Sequence, residues 1–429
     1  MKRVAVLALT AAVFMASCAP LNFYKKVDTA IMSGQYSEAD AIIEKEKNQY
    51  KGEHELLYYF DKGAILQMLG DYKASTQNLE KAELKIDELF TKSVTKELSS
   101  YFSNDLNLPY EGEDFEQVAV NIIKCLNFMY LGDFDGALVE AKKVDHRLNV
   151  LSDRNEGKNV YKEDAFARYL SGIAYEAKGE INDAYIAYRK AYGAYLEYNR
   201  LFGIPVPQEV KKDVLRTADA MKFYDDVERF QKDFGNIKYE KNSEFKDNGE
   251  LIVVVHAGMA PFKSTKYTDH REKMKDGTIS DVIRVAFPVF VPRGYVVSSV
   301  SAEGVKGFLA QDVATLAVKT LENKNFLISA KAIARAVAKY TMTKAIDNKG
   351  KNRALGLLAG IYSVASEQAD TRSWRTLPAA FHILRLKLEP GRHEIRLNMQ
   401  LSGGGSREQV MQVEIKKGRK KVVPVYVLN

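Results

Sequence analysis

A short glycine motif recurs four times in the first half of the chain and restricts its fold more than any other feature. In each copy a glycine is followed five residues later by a small residue inside a polar turn, and the copies begin at Gly34, Gly70, Gly132 and Gly179. A glycine can end one helix in a left-handed conformation, and a small residue lets the next helix cross closely. The motif therefore predicts an all-α solenoid of helix-turn-helix units over residues 18–235.

The fourth copy is the most complete and resembles a tetratricopeptide repeat (TPR). The positions that carry this resemblance are Gly172, Tyr175, Gly179, Ala184, Tyr188 and Ala191. The second copy matches well, whereas the first and third lack several of the large apolar positions. The turn glycines are 36, 62 and 47 residues apart, so the resemblance implies degenerate TPR-like repeats separated by insertions.

One helix of the fourth repeat carries a stripe of four tyrosines. They are spaced three, four and three residues apart and so share one helical face: Tyr185, Tyr188, Tyr192 and Tyr195. On the inner surface of a solenoid such a stripe is a candidate site for an extended partner peptide. Alternatively, the rings pack on the next predicted helix, residues 208–234.

The second half changes from helical to strand periodicity. Residues 236–250 are polar and charged and are predicted to be a linker. Runs rich in valine and aromatic residues follow at 251–255, 282–290, 295–301, 381–388, 393–400, 409–416 and 420–428. They predict a β-sandwich domain over residues 251–429, of antiparallel type, with residues 260–279 as a basic loop and a helical insertion at 309–368. The chain is therefore predicted to be multidomain, a helical repeat domain followed by an α+β domain.

A basic stripe lies on one face of the predicted insertion. Lys331, Arg335 and Lys339 recur at helical spacing, on a different face from the apolar positions. Such a stripe can meet anionic lipid headgroups or an acidic partner, and a simple solvated face is the alternative.

The N-terminus has the pattern of an export signal. Lys2 and Arg3 precede an apolar run that ends in Ala-Ser-Cys, so residues 1–17 are predicted to be a signal peptide. This ending resembles the bacterial lipobox, which implies that the Cys18 sulfur carries diacylglycerol and that its amine is acylated, for example with palmitate. Ala19 follows the cysteine, and by resemblance to known sorting signals this implies an outer-membrane lipoprotein that faces the periplasm.

The segment 370–378 contains the only tryptophan, in the order Asp-Thr-Arg-Ser-Trp-Arg-Thr-Leu-Pro. Together with residues 249–255, 260–263 and 284–288 it resembles a family of uncharacterised bacterial lipoproteins that join degenerate TPRs to a C-terminal β-rich domain. These are similar in setting to penicillin-binding-protein activator lipoproteins. The resemblance implies a setting in envelope assembly but no catalytic residue.

The tryptophan segment also has a physical interpretation. Trp374 can plug the end of the sandwich, with Asp370 pairing with Arg372 or Arg375. The alternative is a partner-binding hot spot, because tryptophan and arginine are enriched in such clusters.

Composition and motifs give no sign of catalysis. The formal charge of +7 falls to +5 without Lys2 and Arg3, which is too diffuse to indicate nucleic-acid binding. The six histidines share no metal-ligand spacing, and His256 is the best single site candidate. Cys125 has no disulfide partner once Cys18 is lipidated, so it is predicted to be a buried thiol.

These observations predict a lipid-anchored, non-enzymatic scaffold that needs no metal or cofactor. Its repeats would bind a protein partner in cell-envelope assembly, for example in peptidoglycan synthesis. Two alternatives stay open: a glycan-binding or glycan-processing cell-wall protein, and a structural subunit of an export or surface-assembly complex. The oligomeric state is left open.

Overall fold

The computed structural model describes residues 23–94, 108–245, 247–273, 279–293, 297–324 and 369–429. The predicted signal peptide and Cys18 lie outside the described residues. So do Lys331, Arg335 and Lys339 and most of the predicted insertion.

The first half consists of helices that pack in consecutive pairs. Their bounds are α1 Tyr24–Met32, α2 Tyr36–Lys45, α3 Glu55–Met68, α4 Tyr72–Val94, α5 Asp114–Tyr130, α6 Phe134–Arg154, α7 Ala165–Lys178, α8 Ile181–Phe202, α9 Gln208–Ala220 and α10 Tyr224–Phe234. None of the helices in the described part of the chain is long and apolar enough to span a membrane.

The glycine motif has the two roles that the sequence predicted. Gly179 ends α7 with φ of 81°, a left-handed conformation that residues with a side chain rarely adopt. Gly172 lies inside α7, where an added Cβ atom would stand 2.3 Å from the ring of Tyr188 on α8. The prediction of TPR-like helical repeats is confirmed.

The second half contains ten strands among the described residues. They are β1 Gly249–Met259, β2 Phe262–Lys273, β3 Ile279–Val291, β4 Val297–Ala302, β5 Val305–Lys306, β6 Phe308–Asp312, β7 Pro378–Leu388, β8 Gly391–Leu401, β9 Ser406–Ile415 and β10 Lys420–Val427. The first sheet has the order β10-β1-β7-β6 and the second sheet has the order β5-β4-β8-β9. Strands β2 and β3 form a separate antiparallel hairpin.

Three strand predictions were wrong. Residues 260–279 are not a loop, because most of them form β2, which pairs with β3. The sequence of β2 is so polar that it lacks the alternation of apolar and polar residues that predicts a strand. Residues 309–312 belong to β6, and a helix, α11, begins only at residue 313. The first sheet is mixed rather than antiparallel, since β10 runs parallel to β1. Strand direction depends on the connection between strands, which periodicity alone does not reveal.

The structure has three layers, with the first sheet in the middle. Alternate residues of β1 point to opposite faces: Leu251 and Val253 pack in an aliphatic cluster with the second sheet, while Ile252 and Val254 join the core of the helices. The first sheet is therefore attached to the repeats along a whole face. The two regions are thus joined by this packed face as well as by residues 236–250, which were predicted to be a linker.

Candidate functional site: the inner surface of the helical repeats

The first helix of each pair contributes to one continuous inner surface, formed by α1, α3, α5, α7 and α9. Helical repeats present such surfaces to extended partners. Here the surface is occupied by the chain itself, through the first sheet and the segment 369–377 that leads into β7.

Trp374 is the centre of the contact between this segment and the repeats. Its side chain is fully buried and stacks on Phe60 of α3, with 4.3 Å between ring centroids and 14° between planes. Its backbone N–H donates to Glu116 of α5 at 2.7 Å, and its indole N–H donates to Thr376 at 3.0 Å. The Thr376 hydroxyl donates in turn to Asp61 at 2.9 Å. The tryptophan is therefore a plug, but it fills the repeats and not the end of the sandwich.

The two arginines beside Trp374 are held in the same way. Arg372 pairs with Asp370 at 2.7 Å, which is one of the two predicted pairings, and donates to the backbone carbonyl of Leu108 at 2.8 Å. Arg375 pairs instead with Asp28 of α1 at 2.6 Å. The hot-spot interpretation required these side chains to be available to a partner, and the structure places them against the repeats of the same chain.

Two buried carboxylates of the repeats accept hydrogen bonds from this segment. Burial raises the pKa of Glu116 to about 7, although its carboxylate also accepts from the Tyr110 hydroxyl at 2.6 Å. Burial likewise raises the pKa of Asp61 to about 6, and Tyr24 donates to it at 2.6 Å. Both carboxylates accept hydrogen bonds from neutral donors, but neither is in direct contact with a cation among the described residues.

A second polar cluster joins β7 to the last repeats. Arg385 contacts Glu250 at 2.5 Å, Asp213 at 2.8 Å and Glu176 at 2.9 Å. Arg216 pairs with two of these carboxylates and Lys420 pairs with Glu250. Burial alone would raise the pKa of Glu250, but Arg385 and Lys420 hold it down at about 2. The cluster thus balances three cations with three carboxylates inside the interface.

The tyrosine stripe does not form an open surface. Tyr195 donates to the Ala310 carbonyl of β6 at 2.7 Å, and Tyr188 donates to Glu176 at 2.5 Å beneath Arg385. Tyr185 donates to Asp226 of α10 at 2.5 Å, and Tyr192 packs on two phenylalanines of that helix. Two rings therefore contact the chain's own sheet, and two pack on the next helix pair. A partner peptide cannot lie along them in this arrangement.

His256 and Cys125 are both structural in their surroundings. The Nε2 atom of His256 lies 2.8 Å from the Tyr130 hydroxyl oxygen, and burial lowers the pKa of the ring to about 3. Cys125 is buried as predicted, and burial raises its pKa. Within the described ranges, no group of three His, Cys, Asp or Glu residues is arranged to hold a metal ion.

Sequence reasoning missed the charged residues that hold the sheet to the helices. Arg385 stands between Leu384 and Leu386, and Asp61 follows Phe60 on an otherwise apolar face. A charge inside an apolar pattern was the available signal, because such a group must be paired to be buried.

The chain matches no protein-family model and no curated protein. Among solved structures it is similar to "MamA AMB-1", at 16% identity over 51% of this chain and 90% of that chain, with a TM-score of 0.30. It is also similar to BtubC (BKLC) from P. vanneervenii, at 12% identity over 50% of this chain and 81% of that chain, with a TM-score of 0.33. A putative kinesin light chain of Podosopora anserina with TPR-like repeats gives 12% identity, 50% and 96% coverage and a TM-score of 0.31. At these values the similarities carry no argument about function.

Proposed function

We propose that the protein is a lipid-anchored bacterial lipoprotein that acts as a protein-binding scaffold in cell-envelope assembly. The anchor is the lipidated Cys18, the membrane is the outer membrane, and the folded part faces the periplasm. The proposal is supported by the export signal, by the repeats and by the way the repeats hold the segment 369–377.

The observation that carries the proposal is this intramolecular contact. The segment lies on the inner surface as an extended partner peptide would, with one buried aromatic anchor and paired charges around it. Because the inner surface is filled, the repeats and sheets act as one rigid platform. Partners then bind the outer surfaces, where Leu84 of α4 is 63% exposed and Val139 of α6 is 54% exposed.

A binding role is favoured over catalysis because the chain itself engages the titratable groups of this surface. The buried carboxylates there accept from donors of the same chain, among them Asp61, Glu116, Asp164, Glu176, Asp213 and Glu250. A general base must instead reach a substrate proton at hydrogen-bond distance.

Photo-crosslinking in the native envelope tests the scaffold. A photoreactive residue at Leu84 or Val139 is expected to capture a specific envelope protein, and one at the buried Tyr195 is expected to give only intramolecular products. Absence of any specific protein adduct from the outer positions would contradict the scaffold. Retention on purified peptidoglycan without such an adduct would favour the glycan-binding alternative.

The anchor has a matched internal control. Cys18→Ala is expected to abolish labelling with palmitate and release the protein from the membrane fraction. Cys125→Ala should leave both unchanged, because that thiol is buried in α5. Equal labelling of the Cys18→Ala variant would exclude lipidation at this position.

A further inference from the structure

The turn between β9 and β10 is the most basic stretch of the described surface. The turn and the first two residues of β10, residues 416–421, contain five lysine or arginine residues and are called the basic turn; Gly418 is the sixth residue. Lys420 points inward and pairs with Glu250. The other four are exposed: Lys416, Lys417, Arg419 and Lys421.

Most of these exposed cations are not neutralised locally. Lys417 pairs with Asp247 at 2.7 Å, but both side chains are largely solvated. Lys416, Arg419 and Lys421 form no ion pair with any residue of the described ranges. Glu414, the nearest carboxylate along β9, stands across from Arg392 of β8. Three positive charges therefore remain unpaired at one corner of the molecule.

This basic turn lies at one end of β1, and the start of the described chain lies at the other. The turn is bound to the beginning of β1, since the Gly418 N–H donates to the Asn248 carbonyl at 2.8 Å. At the far end, the Met259 sulfur is 3.5 Å from Arg293, which pairs with Asp28 of α1 at 3.1 Å. The 11 residues of β1 span about 33 Å at roughly 3.3 Å per residue.

The α1 end carries unpaired cations as well. Lys25 and Lys26 are both exposed, and neither forms an ion pair with a described residue. They are separated from Cys18 by only a few residues. Unpaired basic groups thus stand at both ends of β1. The distance between them is far more than a Debye length of about 8 Å.

We propose that the basic turn binds anionic phospholipid headgroups. A short acidic peptide cannot reach across the length of β1, whereas a membrane is large enough to do so. Lysine also suits such a surface, because its ammonium is a compact point charge without the bidentate preference of arginine. Each cation near an anionic membrane raises partition by roughly fivefold, so the three unpaired ones together give about a hundredfold.

The orientation that follows rests on the proposed lipid anchor. With Cys18 inserted at one end and the basic turn in contact at the other, β1 lies along the membrane plane. One lipid signal and one basic patch together hold a protein more firmly than either alone. Headgroup binding by the turn itself does not depend on the anchor.

Vesicle sedimentation separates these two statements. The probe is the full chain from residue 18 with Cys18→Ala, mixed with vesicles of phosphatidylcholine alone or with about one-third phosphatidylglycerol. Binding is expected only to the anionic vesicles, and it should vanish at roughly 0.5 M salt, where the Debye length is a few ångströms. The lipid labelling described above tests the anchor independently.

A charge-reversal variant and a matched control locate the site. The variant Lys416→Glu, Arg419→Glu, Lys421→Glu is expected to lose binding by about a hundredfold or more. The control Lys73→Glu, Lys81→Glu, Lys142→Glu makes the same change in net charge at exposed helical positions and should retain most of the binding. Equal loss in both variants, unchanged binding of the turn variant, or equal binding to neutral vesicles would overturn the proposal.

Discussion

The two faces of the first sheet use opposite chemistry. Toward the second sheet the side chains are mostly aliphatic, with Leu251, Val253 and Leu384 in one cluster, and the buried His382 of β7 lies on the same face. Toward the helices the same strands present charged and aromatic groups, among them Arg385 and His256. Adjacent residues of one strand thus face a mainly apolar interface on one side and a network of ion pairs on the other.

This difference shows how each interface is specified. Aliphatic contact is roughly proportional to buried area and depends little on direction, so it holds the sheets together without fixing their relative position. The ion pairs and the buried tryptophan are directional and satisfied in one arrangement only. We infer that the aliphatic face supplies cohesion and that the polar face sets how the repeats and the sheet fit together.

The largest effect is expected at the centre of the polar face. Arg385→Leu leaves three buried carboxylates without their shared cation, which should lower the free energy of unfolding by about 5 kcal/mol. The matched control is Arg396→Leu on β8, where the side chain is 61% exposed and the expected change is below about 0.5 kcal/mol. Urea unfolding measures both, and equal small changes would show that the cluster does not hold the interface.

Trp374→Ala is expected to cost about 4 kcal/mol, because it removes a fully buried ring from the repeats. Tyr224→Ala, at a ring that is 64% exposed, should change the free energy of unfolding little. Trp374→Phe should fold and keep any crosslinked partner. A Trp374→Ala protein with full stability but no partner adduct would revive the hot-spot interpretation.

Leu384→Ala tests the aliphatic face one residue away from Arg385. The loss of buried methyl groups should cost about 3 kcal/mol in the free energy of unfolding. Unlike the Arg385 effect, this cost should be independent of salt at neutral pH, where the neighbouring His382 is uncharged because burial lowers its pKa to about 4. A strong salt dependence would show that the two faces are not separable.

The pH dependence of the polar face should be smaller and can be assigned to one residue. The pKa of Glu116 is raised to about 7 when folded from an ordinary value of 4.5, so its contribution is greatest below pH 4.5 and declines as pH rises through 7. Relative to Glu116→Gln, the wild type should therefore gain about 2 kcal/mol between pH 8 and pH 5. Urea unfolding at both pH values measures this gain, and a constant difference would mean that Glu116 ionises normally.

Local features of the fold were predictable because they depend on local chemistry. The turn glycines located the helix pairs, since a left-handed cap and a close helix crossing leave a sequence signature at Gly172 and Gly179. Valine-rich runs located the main strands. Trp374 was predicted as a plug, although of the sandwich and not of the repeats. The ion pair of Arg372 with Asp370 was one of two predicted from proximity in sequence.

What the sequence did not reveal depends on contacts between distant residues. Nothing near Trp374 indicates that its ring stacks on Phe60, which lies more than three hundred residues earlier. The partners of Arg385 come from α7, α9 and β1, so no spacing rule connects them. For the tyrosine stripe the sequence left two interpretations open, a partner site or packing on residues 208–234, because periodicity identifies a face but not what covers it.

The parallel pairing of β10 with β1 affects the order in which the molecule can be completed during synthesis. Glu250 and Lys420 meet across 170 residues of chain, and the ribosome makes the repeats before β10. Until β10 emerges, the polar inner surface of the repeats lacks part of its cover, and closure of so distant a contact is slow. Biogenesis therefore includes an interval in which a nascent chain with finished helices is still vulnerable to wrong associations.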